Sequence, residues 1–174
     1  MLHQSIRTMS NFKRITILCV FLILSFFTHA QKQITNYINQ YKAIAVQCMN
    51  ENKIPASVIL GISIVESAAG RSKVCKGLKN HFGIVGKNKN SIAKLGYKSK
   101  YKEYKSDLDS YEHFCKVVKK KKFYKYLKGS KDYKEWIKSL NQASYASAKG
   151  KWEAKIIETI RRYKLYELDK ESNM

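Results

Sequence analysis

Acidic residues are scarce in this chain of 174 residues. Only 13 Asp and Glu oppose 34 Lys and Arg, which gives a formal net charge of +21. Such an excess predicts attraction to a polyanion, whether nucleic acid, anionic lipid or an acidic polymer of the cell envelope. Because 44% of the residues are hydrophobic and 12% are aromatic, the chain is not a disordered polycation and can bury a core. The length favours one domain.

Apolar runs long enough to span a membrane are also missing. The main run, residues 15–27, has 13 residues, whereas a helix needs about 20 to cross a bilayer. Cations precede this run, Ala30 follows it, and residues 1–30 contain no acid. This order is typical of a secretory signal peptide. We therefore predict a signal peptide over 1–30 and a single domain over 31–174, exported to the periplasm or the extracellular space, with no stable membrane span.

Cysteine and histidine are too few for several kinds of site. After removal of the signal peptide, Cys48, Cys75 and Cys115 remain, which allows at most one internal disulfide and leaves its pairing open. Their spacing matches no metal motif, and only His81 and His113 remain as histidines. A zinc site or a Ser-His-Asp site therefore has little material, and we expect neither a metal nor a cofactor.

The hydrophobic pattern after residue 30 is mostly helical. Apolar residues recur at steps of three and four over 34–49, which predicts an amphipathic helix. A second helix, apolar on nearly all sides and therefore central, is predicted between Pro55, the only proline, and Gly70. Three further helices are expected, over 106–118, 133–140 and 152–163.

The region between the second and third helices differs in composition. Residues 67–102 contain ten Lys or Arg, no acid, and five of the eight glycines. This composition favours loops or short strands. Ser106, with Asp109 as its capping-box partner, begins the next helix. We therefore predict a mostly α domain with one short glycine-rich lobe.

Glu66 is the residue best suited to chemistry. It follows Ile62 by four positions and Ile59 by seven, on a helix face that is otherwise apolar. Surroundings of low dielectric constant favour a protonated carboxyl, which could donate a proton to a leaving oxygen. The helix pattern by itself favours the simpler alternative, in which Glu66 forms an ion pair with Arg71 or Lys73 at the edge of the core.

A short motif changes this balance. The sequence Asn-His-Phe-Gly-Ile at 80–84 begins 14 residues after Glu66. Here the chain resembles the glucosaminidase family of peptidoglycan hydrolases, whose pattern is a helix ending in Glu-Ser followed by an Asn-x-Phe-Gly-Ile turn. The resemblance continues through 101–106 and ends at 143–147, which is similar to the Gly-Tyr-Ala-Thr segment of the family. It extends over residues 41–166.

The resemblance implies a lysozyme-like, mostly α fold and hydrolysis of the β-1,4 bond between N-acetylglucosamine and N-acetylmuramic acid. It implies that Glu66 is the general acid and that Tyr145 is an active-site tyrosine. It also places Asn80, Phe82 and Gly83 in a turn that lines the substrate cleft. A core position for Phe82 and a packing role for Tyr145 are the alternatives.

Interleaved tyrosines and lysines follow this turn. Tyr101 and Tyr104 could stack on sugar rings while the lysines hold an anionic envelope polymer, or the whole stripe could be a solvated surface. The expected partners are peptidoglycan glycan strands and anionic envelope polymers, without specific nucleic acid, and we expect a monomer. The same cations would lower the pKa of Glu66, so an acid role requires apolar walls around it.

A second catalytic carboxylate is harder to find. Glycosidases with two carboxylates place them about 5 Å apart for a nucleophile or about 6.5–9.5 Å apart for activation of water. Because residues 67–102 contain no acid and Asp109 is used in capping, Glu103 is the best candidate. Without it, the 2-acetamido group of the substrate or an unassisted water could react, or a single-acid lytic transglycosylase could form an anhydro sugar. A non-catalytic glycan-binding or agglutinating module is the alternative from another class.

Overall fold

The computed structural model describes Thr16, residues 31–143 and residues 149–171. The chain divides into two compact units, 1–36 and 37–174, and the described residues of the first unit are helical. Within the described residues, no helix is long and apolar enough to span a bilayer. Apart from Thr16, the predicted signal peptide lies outside the described residues, so it stays a prediction.

The described residues are mostly helical, as predicted. In chain order the elements are α1 (31–52), α2 (Ala56–Glu66), α3 (Lys73–Leu78), α4 (Ser91–Leu95), α5 (Asp107–Lys119), α6 (Tyr124–Leu127), α7 (Tyr133–Gln142), α8 (Lys149–Arg162) and a 3-10 helix (Leu165–Glu171). The five predicted helices correspond to α1, α2, α5, α7 and α8. The short elements α3, α4 and α6 and the 3-10 helix were not predicted.

Helix α2 is the centre of the second unit. Every residue from Ala56 to Ile64 is buried, which agrees with the expectation from its apolar sequence. Its first turn is bound by the 3-10 helix, because the backbone N–H of Ser57 donates to Oδ1 of Asp169 (2.9 Å) and the Ser57 hydroxyl donates to Oδ2 (2.6 Å). A carboxylate at this position satisfies a backbone donor at the start of the helix and interacts favourably with the helix dipole.

One side of α2 packs closely on α8. A Cβ atom at Gly61 would lie 2.7 Å from Cγ1 of Ile160 and 3.5 Å from Cγ2 of Ile156. Both isoleucines are fully buried. Glycine at position 61 therefore sets how closely the two helices approach.

The other side of α2 meets a hydrogen-bonded aromatic network. The Tyr111 hydroxyl donates to Oγ of Ser63 (3.0 Å), and the hydroxyl oxygens of Tyr37 and Tyr111 are 3.2 Å apart. Nδ1 of His81 lies 2.6 Å from the Tyr37 hydroxyl, and Nε2 lies 3.1 Å from Oδ1 of Asp107. Since a carboxylate only accepts, Nε2 carries the proton, and Nδ1 accepts from Tyr37.

The glycine-rich lobe contains short helices. Among the described residues no strand is present, and the lobe has one isolated antiparallel bridge, between Val85 and Tyr101. Helices α3 and α4 pack tightly, because a Cβ atom at Gly77 would lie 2.6 Å from Cδ2 of Leu95. Of the two expectations for this region, short strands are not present among the described residues, while the loops are present together with two short helices that were not expected.

The three described cysteines, Cys48, Cys75 and Cys115, are buried free thiols. The internal disulfide that the cysteine count allowed is therefore not formed among them. Burial raises the pKa of Cys75 to about 12, so this thiol stays protonated despite lying 3.5 Å from Nδ1 of His81.

Candidate active site

Glu66 is the last residue of α2, where the chain makes a left-handed turn. Ala68, Ala69 and Gly70 all have positive φ, between 51° and 77°. The side chain of Ser67 secures this turn, since its hydroxyl donates to a carbonyl oxygen of α2 (2.6 Å) and accepts from the N–H of Gly70 (2.8 Å). The sequence predicted that the C-terminal stop of α2 is Gly70, whereas the helix ends at Glu66, because this turn begins directly after it.

A tryptophan from α8 holds the Glu66 carboxyl. Nε1 of Trp152 donates to Oε1 of Glu66 over 2.6 Å, and the indole is buried. Burial raises the pKa of Glu66 above its ordinary value, while the hydrogen bond from Trp152 and the charge of Lys155 oppose this shift. The burial effect is the larger one, which favours the protonated form that an acid role requires.

The simpler alternative for Glu66 is not realised. In the described part of the chain, neither Arg71 nor Lys73 forms an ion pair with Glu66. Nε of Arg71 donates instead to the carbonyl oxygen of Ala68 (3.2 Å). The carboxyl therefore has a neutral hydrogen-bond donor as its immediate partner.

The motif turn lies against Oε2 of this carboxyl, the oxygen that Trp152 does not contact. A Cβ atom at Gly83 would lie 3.3 Å from Oε2 of Glu66 and 3.9 Å from Cε1 of Tyr101. Gly83 has φ of 63°, a conformation that disfavours other residues. Any side chain at this position would fill the space between the carboxyl and the tyrosine ring, so glycine leaves Oε2 approachable.

Asn80 builds the turn from within. Its side chain is 1% exposed, and its Nδ2 donates to the carbonyl oxygens of Ile84 (2.9 Å) and Lys102 (2.8 Å). Its Oδ1 accepts from the N–H groups of Phe82 (3.3 Å) and Ile84 (3.1 Å). All four bonds are used within the protein, so Asn80 positions Gly83 rather than presenting its amide at a surface.

Two of the aromatic residues predicted to bind substrate are buried. Phe82 is 2% exposed and stacks on Phe114 with ring centroids 4.2 Å apart, so we assign it to the core, the alternative that its sequence left open. Tyr104 is 7% exposed, and its hydroxyl lies 2.7 Å from Nδ1 of His113. Of the predicted substrate-binding residues, the structure brings Gly83 and the half-buried Tyr101 to Glu66.

Glu103, the candidate second carboxylate, is engaged in the lobe. Its Oε1 pairs with Nζ of Lys94, and its Oε2 accepts from the N–H of Lys89 (3.0 Å). The hydrogen bond from Lys94, followed by that from Lys89, lowers the pKa of Glu103. The carboxylate therefore ties α4 to the bridged loop, and any second role would compete with these bonds.

Sequence reasoning missed Trp152 and Lys155 as neighbours of Glu66. Trp152 was placed only in the apolar stripe of the last helix, although a buried indole N–H needs an acceptor and so signals a polar partner. Tyr145, the predicted active-site tyrosine, belongs to residues 144–148 and lies outside the described residues. Its role stays a prediction.

Residues 42–165 match the profile of the family described as Glucosaminidase: mannosyl-glycoprotein endo-β-N-acetylglucosaminidase. The chain belongs to the glucosaminidase family. The match extends over α2 and its Glu66, the motif turn, and α8 with Trp152. No curated protein sequence matches this glucosaminidase domain.

Solved structures share the fold of the glucosaminidase domain at low identity. The catalytic domain of the autolysin Auto from Listeria monocytogenes is 22% identical, with 78% of this chain and 87% of that chain covered and a TM-score of 0.63. An N-acetylmuramoyl-L-alanine amidase from Staphylococcus aureus is also 22% identical, with 79% and 44% covered and a TM-score of 0.64. The glycoside hydrolase domain of FlgJ from Salmonella typhimurium is 16% identical, with 75% and 88% covered and a TM-score of 0.59.

Proposed function

We propose that this glucosaminidase domain is an exported peptidoglycan hydrolase that cleaves the β-1,4 bond between N-acetylglucosamine and N-acetylmuramic acid, with Glu66 as general acid. The observation that carries the proposal is a half-buried carboxyl with a raised pKa whose second oxygen, Oε2, faces a glycine. The autolysin and glycoside hydrolase domains that share the fold support action on the cell wall, outside the cytoplasm.

The two carboxyl oxygens of Glu66 have different roles in the proposed reaction. Trp152 holds Oε1, so Oε2, next to Gly83, is the oxygen that donates the proton. As the glycosidic C–O bond breaks, its electron pair goes to the leaving oxygen, which takes this proton and leaves Glu66 ionised. The hydrogen bond from Trp152 and the charge of Lys155 both favour that carboxylate. The same two groups that oppose the raised pKa thus stabilise the charge that develops.

The other half of the reaction has more than one route. Glu103 as second carboxylate would have to release Lys94, whereas the 2-acetamido group of the substrate or a water needs no such change. The engagement of Glu103 also favours a second candidate function, a single-acid lytic transglycosylase with an anhydro product. We propose that Tyr145 and Tyr101 contact the sugar beside Glu66.

The decisive experiment compares the wild-type protein with Glu66→Gln on purified peptidoglycan. Removal of a general acid typically costs about 10²- to 10⁴-fold in rate, so release of reducing ends should fall by that amount. Full activity in Glu66→Gln would show that the acid is another residue. Glu103→Gln is the control, and an equal loss there would assign the second carboxylate.

Mass spectrometry of the released fragments separates the remaining alternatives. Reducing N-acetylglucosamine ends support hydrolysis at the proposed bond, and anhydro ends indicate the lytic transglycosylase reaction. Retention of the wild-type protein on insoluble glycan with no new soluble fragment would contradict the enzyme and identify a binding module.

A further inference from the structure

A second feature of the surface lies at the C-terminal end of α5 and on the segment that follows it. From Lys116 to Lys131 this segment contains eight lysines and no acid. Two neighbouring cavities of about 440 Å³ each open here, and Lys121 and Lys122 line both of them. We call this pair of cavities the lysine groove.

Among the described residues, no carboxylate is paired with a cation of the lysine groove. In the described part of the chain, none of the five lysines that line it forms an ion pair; these are Lys119, Lys120, Lys121, Lys122 and Lys125. Like charges held this close repel each other, and an anion bound among them relieves that repulsion. Five cations around two adjoining depressions therefore suit a ligand with repeated negative charge.

An aromatic ring adds a second kind of contact. Tyr126 lines the second cavity and is 75% exposed, with Nζ of Lys125 4.6 Å from its ring centre. An exposed ring beside cations can pack on the carbon skeleton of a sugar or polyol while the lysines bind the charges. Ala143, which lines the first cavity, stands only two positions before Tyr145 in the chain.

We propose that the lysine groove binds a phosphodiester-linked glycopolymer of the cell envelope, at a site separate from the Glu66 carboxyl. This inference rests on the proposed function for its location outside the cytoplasm. The groove runs over two adjoining open depressions that share Lys121 and Lys122, and this continuous row of cations suits a strand with repeated negative charges. Bound in this way, the polymer retains the enzyme at its substrate.

The test measures binding of poly(glycerol phosphate) at several salt concentrations. The variant Lys120→Gln/Lys122→Gln/Lys125→Gln removes three exposed cations of the groove. Its matched control, Lys42→Gln/Lys87→Gln/Lys98→Gln, removes the same charge from exposed positions elsewhere. Each lost phosphate contact lowers the slope of log K against log salt by about 0.7, so the groove variant should lose about 2 in slope and about tenfold or more in affinity.

Each comparison decides for or against the groove. Less than a twofold change in the control supports a built site, and an equal loss in the control would show diffuse attraction. Tighter binding of single-stranded DNA, or of phosphatidylglycerol vesicles, than of poly(glycerol phosphate) would contradict the proposed ligand.

The catalytic proposal is tested separately by the same proteins. Glu66→Gln should bind poly(glycerol phosphate) like wild type, and the groove variant should cleave short soluble glycan fragments at the wild-type rate. If the wild-type protein cleaves nothing yet the groove variant loses binding, only the proposed hydrolase activity fails. If cleavage is normal and the groove variant binds normally, only the groove fails.

Discussion

The two sides of α2 are held in different ways. Toward α8 the contact is apolar and close, with Gly61 against Ile160. Toward α1 and α5 the contact is polar: Tyr111 donates to Ser63, Tyr37 donates to His81, and the two tyrosine hydroxyls lie 3.2 Å apart. Since residues 61 and 63 point about 200° apart on a helix, the two contacts lie on opposite faces.

The two sides of α2 have different roles. One side positions the Glu66 carboxyl, and the other positions the turn that carries Gly83. The apolar side fixes α8 and thereby the indole of Trp152 on Glu66. The polar side holds His81, whose backbone N–H donates to Oγ of Ser110 (3.1 Å). His81 lies within the turn that carries Gly83. We therefore expect packing changes to alter catalysis and protonation changes to alter stability.

The largest effect is expected from Gly61→Val. The added side chain collides with Ile160, and overpacking of this kind lowers the free energy of unfolding by about 3 kcal/mol. Displacement of α8 should also reduce peptidoglycan cleavage. Gly150→Ala, in the first turn of the same helix, is the control, because a Cβ there meets nothing within 4 Å and denaturant unfolding should show no loss of stability. Equal stability of Gly61→Val and wild type would contradict the close contact between α2 and α8 at Gly61.

A smaller effect is expected from Trp152→Phe. A lost hydrogen bond to a carboxylate costs about 1.5–3 kcal/mol, so the cleavage rate should fall about 10- to 150-fold. The bond from Trp152 lowers the pKa of Glu66, so its loss raises that pKa. Because the active form of a general acid is protonated, the alkaline limb of the pH–rate profile should move to higher pH. If the alkaline limb of the pH–rate profile does not move in Trp152→Phe, a group other than Glu66 determines its position.

The smallest effect concerns pH and the aromatic network. Burial lowers the pKa of His81, and Asp107 only partly opposes this shift. The unfolded chain takes up a proton near pH 6.5 while the native imidazole stays neutral, so stability is complete above that pH and declines as pH falls below it. Unfolding free energies between pH 7 and pH 5 measure this slope.

Two variants test whether His81 causes the loss of unfolding free energy between pH 7 and pH 5. His81→Gln should flatten the slope, whereas His113→Gln should change it less, because His113 is less buried. If His113→Gln flattens the slope more than His81→Gln, the network is not its source.

Local signals in the sequence predicted the helices well. The capping box of Ser106 and Asp109 is present at the start of α5, because both hydrogen bonds involve neighbouring residues. The central position of α2 followed from Pro55 and the apolar run after it. Its C-terminus was misplaced, since alanines at 68 and 69 give no sign of a left-handed turn.

Contacts between distant residues could not be predicted in the same way. Glu66 was identified from the motif, but the indole that holds it comes from α8, 86 positions away. Glu103 was offered as a free carboxylate because nothing in the sequence shows that Lys94 folds back onto it. Phe82 could equally have been a cleft residue until its stacking on Phe114 was seen.

The bond between Ser57 and Asp169 has a consequence for how the protein is made. The helix that ends in Glu66 receives its N-terminal cap from a residue 112 positions later in the chain. A ribosome must therefore synthesise the chain through residue 169 before that cap can form. A chain that ends between Lys155 and Asp169 therefore lacks the cap even though it contains Glu66, Gly83 and Trp152.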